Sequence, residues 1–272
     1  SSPRYKLNTA AGLVLGGALG LPLAFLWDFL DDRLGDAARA AARLGIPAWP
    51  ALPLFPPDRV APWEEPDGEV AAAFQRLYTQ LRLAGAEGEG RERAPWHTLV
   101  VMGVTGADLP PVLLTNLGVA IVQGGSTVLL VDGDMQRPAL HEPFGLPASP
   151  GLSELLRRGE QLALSPAAAG PPGLYLLPAG ESLTPAAQSA TLQRAARALP
   201  ALAQAAEIVL VRTPSALESP EGLFLAAGAD AVLLVARAGR TRGRDVQRAR
   251  QSLENAQARV IGLALWQEGK RR

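Results

Sequence analysis

The apolar positions of this chain fall into three regimes. From Ala10 to Trp27 the run AAGLVLGGALGLPLAFLW holds 18 residues without a charge. At ~1.5 Å per residue such a helix reaches about 27 Å, close to the ~30 Å hydrocarbon core of a bilayer. No small-residue cleavage site follows, as a signal peptide requires; the run meets the acidic DFLDDRL instead. A buried core helix of this length would carry some polar residue, so the pattern predicts a transmembrane helix. Gly12, Gly16 and Gly20 share one face at spacing four, where small residues let a second membrane helix approach. Pro22 predicts a kink. Arg4 and Lys6 before the run and Arg33, Arg39 and Arg43 after it leave the orientation open.

The second regime is short. DDRLGDAARAAAR (Asp31 to Arg43) predicts a helix leaving the membrane, and the proline-rich stretch from Gly45 to Pro66 predicts a stiff connector rather than a folded element. In the third regime, apolar runs alternate with helical periodicity. Strands are expected at Thr98 to Gly103, Thr127 to Asp132, Leu174 to Leu177, Glu207 to Arg212, Ala231 to Ala236 and Arg259 to Leu265. Unbroken Val/Leu runs suit strands buried on both faces, hence a parallel sheet. Helices are expected at Glu69 to Leu83, Pro110 to Gln123, Gly151 to Arg158, Pro185 to Ala205, Pro220 to Ala227 and Thr241 to Ala256. This alternation predicts an α/β fold with a doubly wound, mostly parallel sheet behind one transmembrane helix. The expected divisions are 1–30 (membrane helix with a short flank), 31–66 (juxtamembrane helix and linker) and 67–272 (α/β domain). The chain begins with Ser and a lone membrane helix needs partners, so we expect the C-terminal part of a longer membrane protein. In doubly wound sheets ligands sit at the carboxyl ends of the strands, which directs attention to the loops after Gly103, Asp132 and Arg212.

Composition narrows the chemistry. The 272 residues contain 26 Lys+Arg and 26 Asp+Glu, which excludes a polycation that binds nucleic acid over its whole surface. There is no Cys, and the two histidines are His97 and His141, so cysteine nucleophiles, disulfide scaffolds and His/Cys metal sites are excluded. Lysine occurs only at positions 6 and 270. Arg237, Arg240, Arg242, Arg244, Arg248 and Arg250 form a basic stretch that reads first as a solvated helix face, with DNA or anionic lipid as the alternative. Neither Gly-x-Ser-x-Gly nor Gly-x-Gly-x-x-Gly is present, so a hydrolase elbow and a dinucleotide fingerprint are unsupported.

The informative block runs from VVMGVTGADLPPVLLTNLG through VLLVDGDMQRPALHEPFG to GLSELL. It contains a strand and loop, Asn116-Leu117 on the next helix, then Asp132, Asp134 and Arg137-Pro138 after a second strand. Phe144-Gly145 and Gly151-Leu152-Ser153 follow, with Leu156 three residues on. This order resembles the cytoplasmic P-loop domain of bacterial tyrosine kinases (BY-kinases) that act with polysaccharide co-polymerases. LLPAG at Leu176 to Gly180 fits as well. The membrane run followed by DFLDDRL and LGIP is similar to the second membrane helix of Wzz-type chain-length determinants. The resemblance implies a P-loop NTPase-like fold, an inner-membrane location in a bacterium with the domain in the cytoplasm, self-association, and polysaccharide polymerase or export partners, without nucleic acid.

The residues that carry phosphotransfer in that family are altered here. The loop is Gly103, Thr105, Gly106, Ala107, Asp108, Leu109, Pro110 and Pro111, with Pro110 at the lysine position and Pro111 at the Ser/Thr position. Two prolines remove two N–H donors, although proline starts a helix readily. Asp108 places negative charge where phosphate would sit. Asp132, Asp134 and Arg137 form the second motif, and Arg212 stands where the family's third strand ends in Asp. We expect Arg212 to pair with Asp132 or Asp134. Ala72, Gln75 and Tyr78 replace a Glu-x-x-Arg-x-x-Arg oligomer motif, and the tail WQEGKRR lacks a tyrosine cluster. The resulting expectation is a chain that is not an enzyme, has no catalytic or metal-binding residue, and has lost ATP and Mg²⁺ binding. It would serve as a scaffold that governs exopolysaccharide length or export. The alternative is a residual ATP-binding tyrosine autokinase in the same pathway.

Overall fold

Six apolar runs form the centre of the molecule because each is flanked by polar turns and can be buried on both faces. The computed structural model describes residues 32–35, 41–42, 45–55, 60–86, 96–158, 167–219 and 222–268. The strands are β1 (Ala48–Phe55), β2 (Thr98–Gly103), β3 (Val128–Asp132), β4 (Ala167–Ala168), β5 (Leu174–Leu177), β6 (Ile208–Thr213), β7 (Ala231–Arg237) and β8 (Val260–Glu268). The helices are α1 (Ala61–Glu64), α2 (Glu69–Ala86), α3 (Pro111–Gln123), α4 (Leu152–Arg158), α5 (Pro185–Leu202), α6 (Gly222–Gly228) and α7 (Gly243–Asn255). The sheet order is β1-β8-β7-β2-β6-β3-β5-β4. All pairings are parallel except β4 against β5. The fold is therefore mixed α/β with a mostly parallel sheet.

Successive side chains of a strand point to opposite faces, which splits the core in two. Val100, Met102, Leu129, Val131, Val209, Val211, Val232 and Leu234 face one layer, closed by Leu199 and Leu202 of α5, Leu225 of α6, and Val246 and Leu253 of α7. Leu99, Val101, Val128, Leu130, Ile208, Leu210, Leu233 and Val235 face the other, under Phe74, Leu77 and Leu81 of α2 and Val112, Leu113 and Leu117 of α3. Fully burying each such side chain contributes about 1.5–3 kcal/mol.

The connector expected at 45–66 is corrected over 48–55, where the chain forms β1 on the edge of the sheet beside β8. Prolines at 47, 50 and 53 break the period of two, and the pairing carries register shifts between Trp49 and Leu52 and between Leu52 and Phe55. An edge strand tolerates proline because one side of its backbone needs no ladder partner. Trp49, Leu52 and Phe55 are buried, and Phe55 packs its ring 5.7 Å from Phe74 and 5.6 Å from Trp266.

Residue contacts divide the chain into Ser1–Arg33 and Leu34–Arg272. Of the first unit only residues 32 and 33 are described. The membrane helix expected at 10–27, with Gly12, Gly16 and Gly20, lies outside the described residues. No helix among the described residues is long and apolar enough to cross a membrane.

Candidate functional site

Strand order brings three strand ends together. β2 lies between β7 and β6, and β6 pairs with β3, so the loops after Gly103, Asp132 and Thr213 are neighbours. Two glycines permit the close approach. A Cβ on Gly103 would meet the Thr105 carbonyl oxygen at 2.7 Å, and one on Gly133 would meet the Arg212 carbonyl oxygen at 2.7 Å.

The loop from Val104 to Pro110 is held from within. Thr105 donates its N–H and its Oγ1–H to Asp108 Oδ2, both at 2.8 Å. Thr241 Oγ1 donates to Asp108 Oδ1 at 2.7 Å, the Arg237 N–H reaches the same oxygen at 3.3 Å, and Trp266 Nε1 donates to the Asp108 carbonyl at 2.6 Å. Asp108 is 1% exposed. Its carboxylate thus points inward to β7 and the start of α7, not into the phosphate position expected from sequence. Pro110 precedes α3 with extended backbone and Pro111 opens the helix, as a first-turn proline allows.

Beside this loop lies a buried ion cluster. Arg212 donates through Nη1 to Asp132 Oδ1 at 2.9 Å and through Nη2 to Asp134 Oδ2 at 3.3 Å. The Arg212, Asp132 and Asp134 side chains are 9%, 0% and 3% exposed. The pairing expected for Arg212 is present with both carboxylates. Asp132 also accepts from the N–H groups of Ala139 at 2.9 Å, Leu140 at 3.0 Å and Asp134 at 3.2 Å, so it orders the whole β3 loop. Asp134 accepts the Arg137 N–H at 3.1 Å. Burial pushes the Asp134 carboxyl above the ordinary aspartate range, against the opposing pull of the Arg212 guanidinium and the Arg137 N–H.

Arg137 reaches the mouth of the loop. Its Nε is 3.7 Å from Asp134 Oδ2 and its Nη2 is 3.8 Å from Glu218 Oε2. Glu218 in turn accepts the Gly106 N–H through Oε1 at 2.7 Å. Glu218 follows β6 and belongs to no motif of the sequence; four strands separate it from Gly106 along the chain, and only the fold sets the two side by side.

Several buried polar atoms around these strand ends have no protein partner: both amide atoms of Asn116, Thr213 Oγ1, Ser215 Oγ and Arg212 Nε. Ser215 adjoins the loop through the Ala216 N–H, which donates to the Gly103 carbonyl at 3.0 Å. Buried groups of this kind cost about 1–3 kcal/mol each unless solvent or a ligand meets them. Orphaned hydroxyls and an amide, with the Gly106 N–H and Arg137 at the mouth, fit a polar anionic ligand at this end of the sheet.

The remaining expected positions have local duties. Gln75 donates Nε2 to the Ala120 carbonyl at 2.7 Å, joining α2 to α3. Elsewhere, Asp230 accepts through Oδ2 the N–H groups of His97 at 2.9 Å and Thr98 at 2.8 Å, which staples the starts of β7 and β2. In the basic stretch, Arg237 lies 3.5 Å from Asp108 and Arg250 lies 2.6 Å from Glu254.

No protein-family model matches the chain. The tyrosine-protein kinase ptk of Acinetobacter johnsonii is 21% identical over 97% of this chain and 37% of its own length. The tyrosine-protein kinase YwqD of Bacillus subtilis (strain 168) is 25% identical over 55% of this chain and 63% of its own length. The chain spans little more than a third of the length of the relatives it matches almost end to end. Among solved structures, the kinase domain of the Escherichia coli tyrosine kinase ETK superposes with a TM-score of 0.75 at 23% identity, covering 87% of this chain and 96% of that one. A cobyrinic acid a,c-diamide synthase of Mycobacterium smegmatis with bound ATP analog and magnesium gives 0.51 at 22% identity, over 62% of this chain and 70% of that one.

The chain is BY-kinase-like, with a P-loop NTPase-like fold. Two expectations are corrected by these findings. A chain that is not an enzyme is overturned by relatives named tyrosine-protein kinases, one along nearly its whole length and another along about half of it. A chain without ATP or Mg²⁺ is overturned by fold neighbours that include an ATP analog and magnesium complex. The physical reason lies in where the cation comes from. Inspection of the loop alone registers the missing lysine, whereas the structure brings Arg137 to the loop from the end of β3.

Proposed function

We propose that this chain is an ATP-binding tyrosine-kinase-type domain that regulates a bacterial polysaccharide pathway. The reading is carried by the likeness to a tyrosine-protein kinase over 97% of the chain, and the loop geometry supports it. The Gly106 N–H and the Arg137 guanidinium supply a donor pair for phosphate oxygens, and the Thr213 and Ser215 hydroxyls supply further donors beneath them. ATP would provide the transferable phosphoryl group, and this chain's part is to orient it at the carboxyl ends of β2 and β6. Asp132 and Asp134 lie at the neighbouring end of β3, held in place by Arg212, while the Glu218 carboxylate sits on the Gly106 N–H itself. The apolar run at 10–27 would anchor the domain to the inner membrane, among further copies of itself and polysaccharide polymerase or export partners.

The acceptor follows from the tyrosine count. Tyr78 and Tyr175 are half-buried on α2 and β5, and Tyr5 precedes the membrane run. Tyr5 would lie across the membrane from the domain, so we expect phosphate on a tyrosine outside these 272 residues. Thermal unfolding of the full chain with ATP, with and without Mg²⁺, tests binding. At a hundredfold excess over Kd the stabilisation is about 2.7 kcal/mol. Transfer is read by incubation with γ-labelled ATP and a tyrosine-bearing peptide copolymer, with detection of phosphotyrosine. An unchanged melting point at millimolar ATP together with no labelled tyrosine would overturn the proposal.

A further inference from the structure

One carboxylate is shared by three strand ends. Gly106 lies in the loop after β2, Arg137 in the loop after β3 and Glu218 in the segment after β6. The Gly106 N–H donates to Glu218 Oε1 at 2.7 Å, and Arg137 Nη2 stands 3.8 Å from Glu218 Oε2. A backbone N–H beside a guanidinium is the same donor pair that phosphate oxygens take. A Cβ on Gly106 would lie 2.9 Å from Arg137 Nη1, so a larger residue there would push these side-chain ends aside. The Arg137 and Glu218 side chains are 57% and 49% exposed. An ion pair so open to water is weak and can be exchanged for a stronger anion. Asp108, the acidic residue of the loop itself, does not compete, because its oxygens are engaged by Thr105, Thr241 and Arg237.

We propose that Glu218 is an internal competitor for phosphate: its carboxylate closes the β2–α3 loop until a phosphate group replaces it on Gly106 and Arg137. This rests on the nucleotide reading above and assigns the regulation of that site. A ligand carrying one phosphate group gains little over the resident carboxylate. A second adjacent phosphate brings further negative charge to Arg137, so di- and triphosphates displace Glu218 more readily than monophosphates.

The test measures binding of inorganic pyrophosphate and of ADP to the full chain by titration calorimetry. The proteins are the wild type, Glu218→Gln, Glu218→Ala and the double variant Glu218→Ala/Arg137→Ala. Removing the competitor should tighten pyrophosphate binding about tenfold in Glu218→Ala, the scale of one charge-assisted hydrogen bond. Glu218→Gln should fall between, and the double variant should lose the gain. Without ligand, the Gly106 amide should exchange with deuterium faster in Glu218→Ala than in the wild type. Glu218 is half-exposed, so both single variants should melt with the wild type. Pyrophosphate affinity that is unchanged, or absent, in both Glu218 variants overturns the competitor. Pyrophosphate gained by Glu218→Ala while no protein takes ADP sinks the nucleotide reading and keeps the competitor. Equal ADP affinity across wild type and Glu218 variants, with equal pyrophosphate affinity, does the reverse.

Discussion

Replacing Arg212 with alanine isolates the ion cluster as a stabilising unit. The substitution leaves two carboxylates, 0% and 3% exposed, without their guanidinium. Asp132 keeps three backbone N–H donors, from Asp134, Ala139 and Leu140, and so retains most of its solvation by the protein. Asp134 keeps one, from Arg137, and bears the larger share of the loss. Removing one partner of a buried pair costs about 3–5 kcal/mol. For a domain of this size each kcal/mol moves Tm by about 2–4 °C, so a drop of about 10 °C is expected near neutral pH. The pH dependence gives the decisive reading. Burial already raises the Asp134 carboxyl above its ordinary 3.8, and Arg212 is the main influence holding it down. A raised folded value means that its stabilising contribution is full below the ordinary aspartate value and is lost as pH rises through the folded one. Without Arg212 that folded value climbs further, so the deficit should be largest at neutral pH and shrink as the solution is acidified toward pH 4. Asp134→Asn in the Arg212→Ala background should recover part of the loss at neutral pH. Urea unfolding across this pH range reads all three proteins. A deficit below about 1 kcal/mol, or one that does not vary with pH, would refute the reasoning.

Three further outcomes follow from the packing. Phe55→Ala should lower unfolding free energy by about 3–5 kcal/mol in chemical denaturation, because Phe55 is 1% exposed and contacts Phe74 and Trp266; a loss near zero would detach β1 from the core. Asp108→Ala should cost about 2–4 kcal/mol by removing the acceptor of Thr105, Thr241 and the Arg237 N–H, and Asp108→Asn should cost less; equal stability of the Ala variant and wild type would contradict the inward carboxylate. For Glu154, burial acts to raise the carboxyl, but the N–H groups of Glu181 and Gly151 outweigh it and hold it below its ordinary 4.5. A depressed folded value contributes stability above the ordinary carboxylate range that is lost as pH falls through the folded value, so wild type should lose stability on acidification more steeply than Glu154→Gln; parallel pH profiles would refute this.

The sheet was legible because its strands announce themselves by one rule. Leu174–Leu177 and Thr98–Gly103 carry the boundaries that their apolar runs predict, and β3, β6, β7 and β8 differ by a few residues at their ends. A strand buried on both faces needs no alternation, so an unbroken run is its whole signature. β1 was illegible for the converse reason. Its prolines and its buried Trp49, Leu52 and Phe55 recur every third residue, a period that belongs neither to a strand nor to a helix, and only the bulged pairing with β8 makes it a strand. β4 consists of two alanines and has no signal at all. Its place comes from the antiparallel contact with β5.

The site was half legible, and the division follows distance along the chain. The Arg212 pairing could be anticipated because a cation and two carboxylates at the ends of neighbouring parallel strands have few other partners; Asp132 and Arg212 are in register across β3 and β6. The chemistry of the loop is not legible from its own residues. Asp108 turns away from the mouth, and Arg137 arrives from outside the loop. Arg137 also ties the two halves together. Its carbonyl accepts from Arg212 Nη1 at 3.1 Å, its N–H binds Asp134, and its guanidinium meets Glu218. A change at Arg212 therefore shifts the backbone that aims Arg137 at the loop, even though Arg212 is nearly buried. The charge at the mouth depends on the geometry of the ion cluster beneath it, and a count of loop residues cannot register a dependence carried by one shared residue.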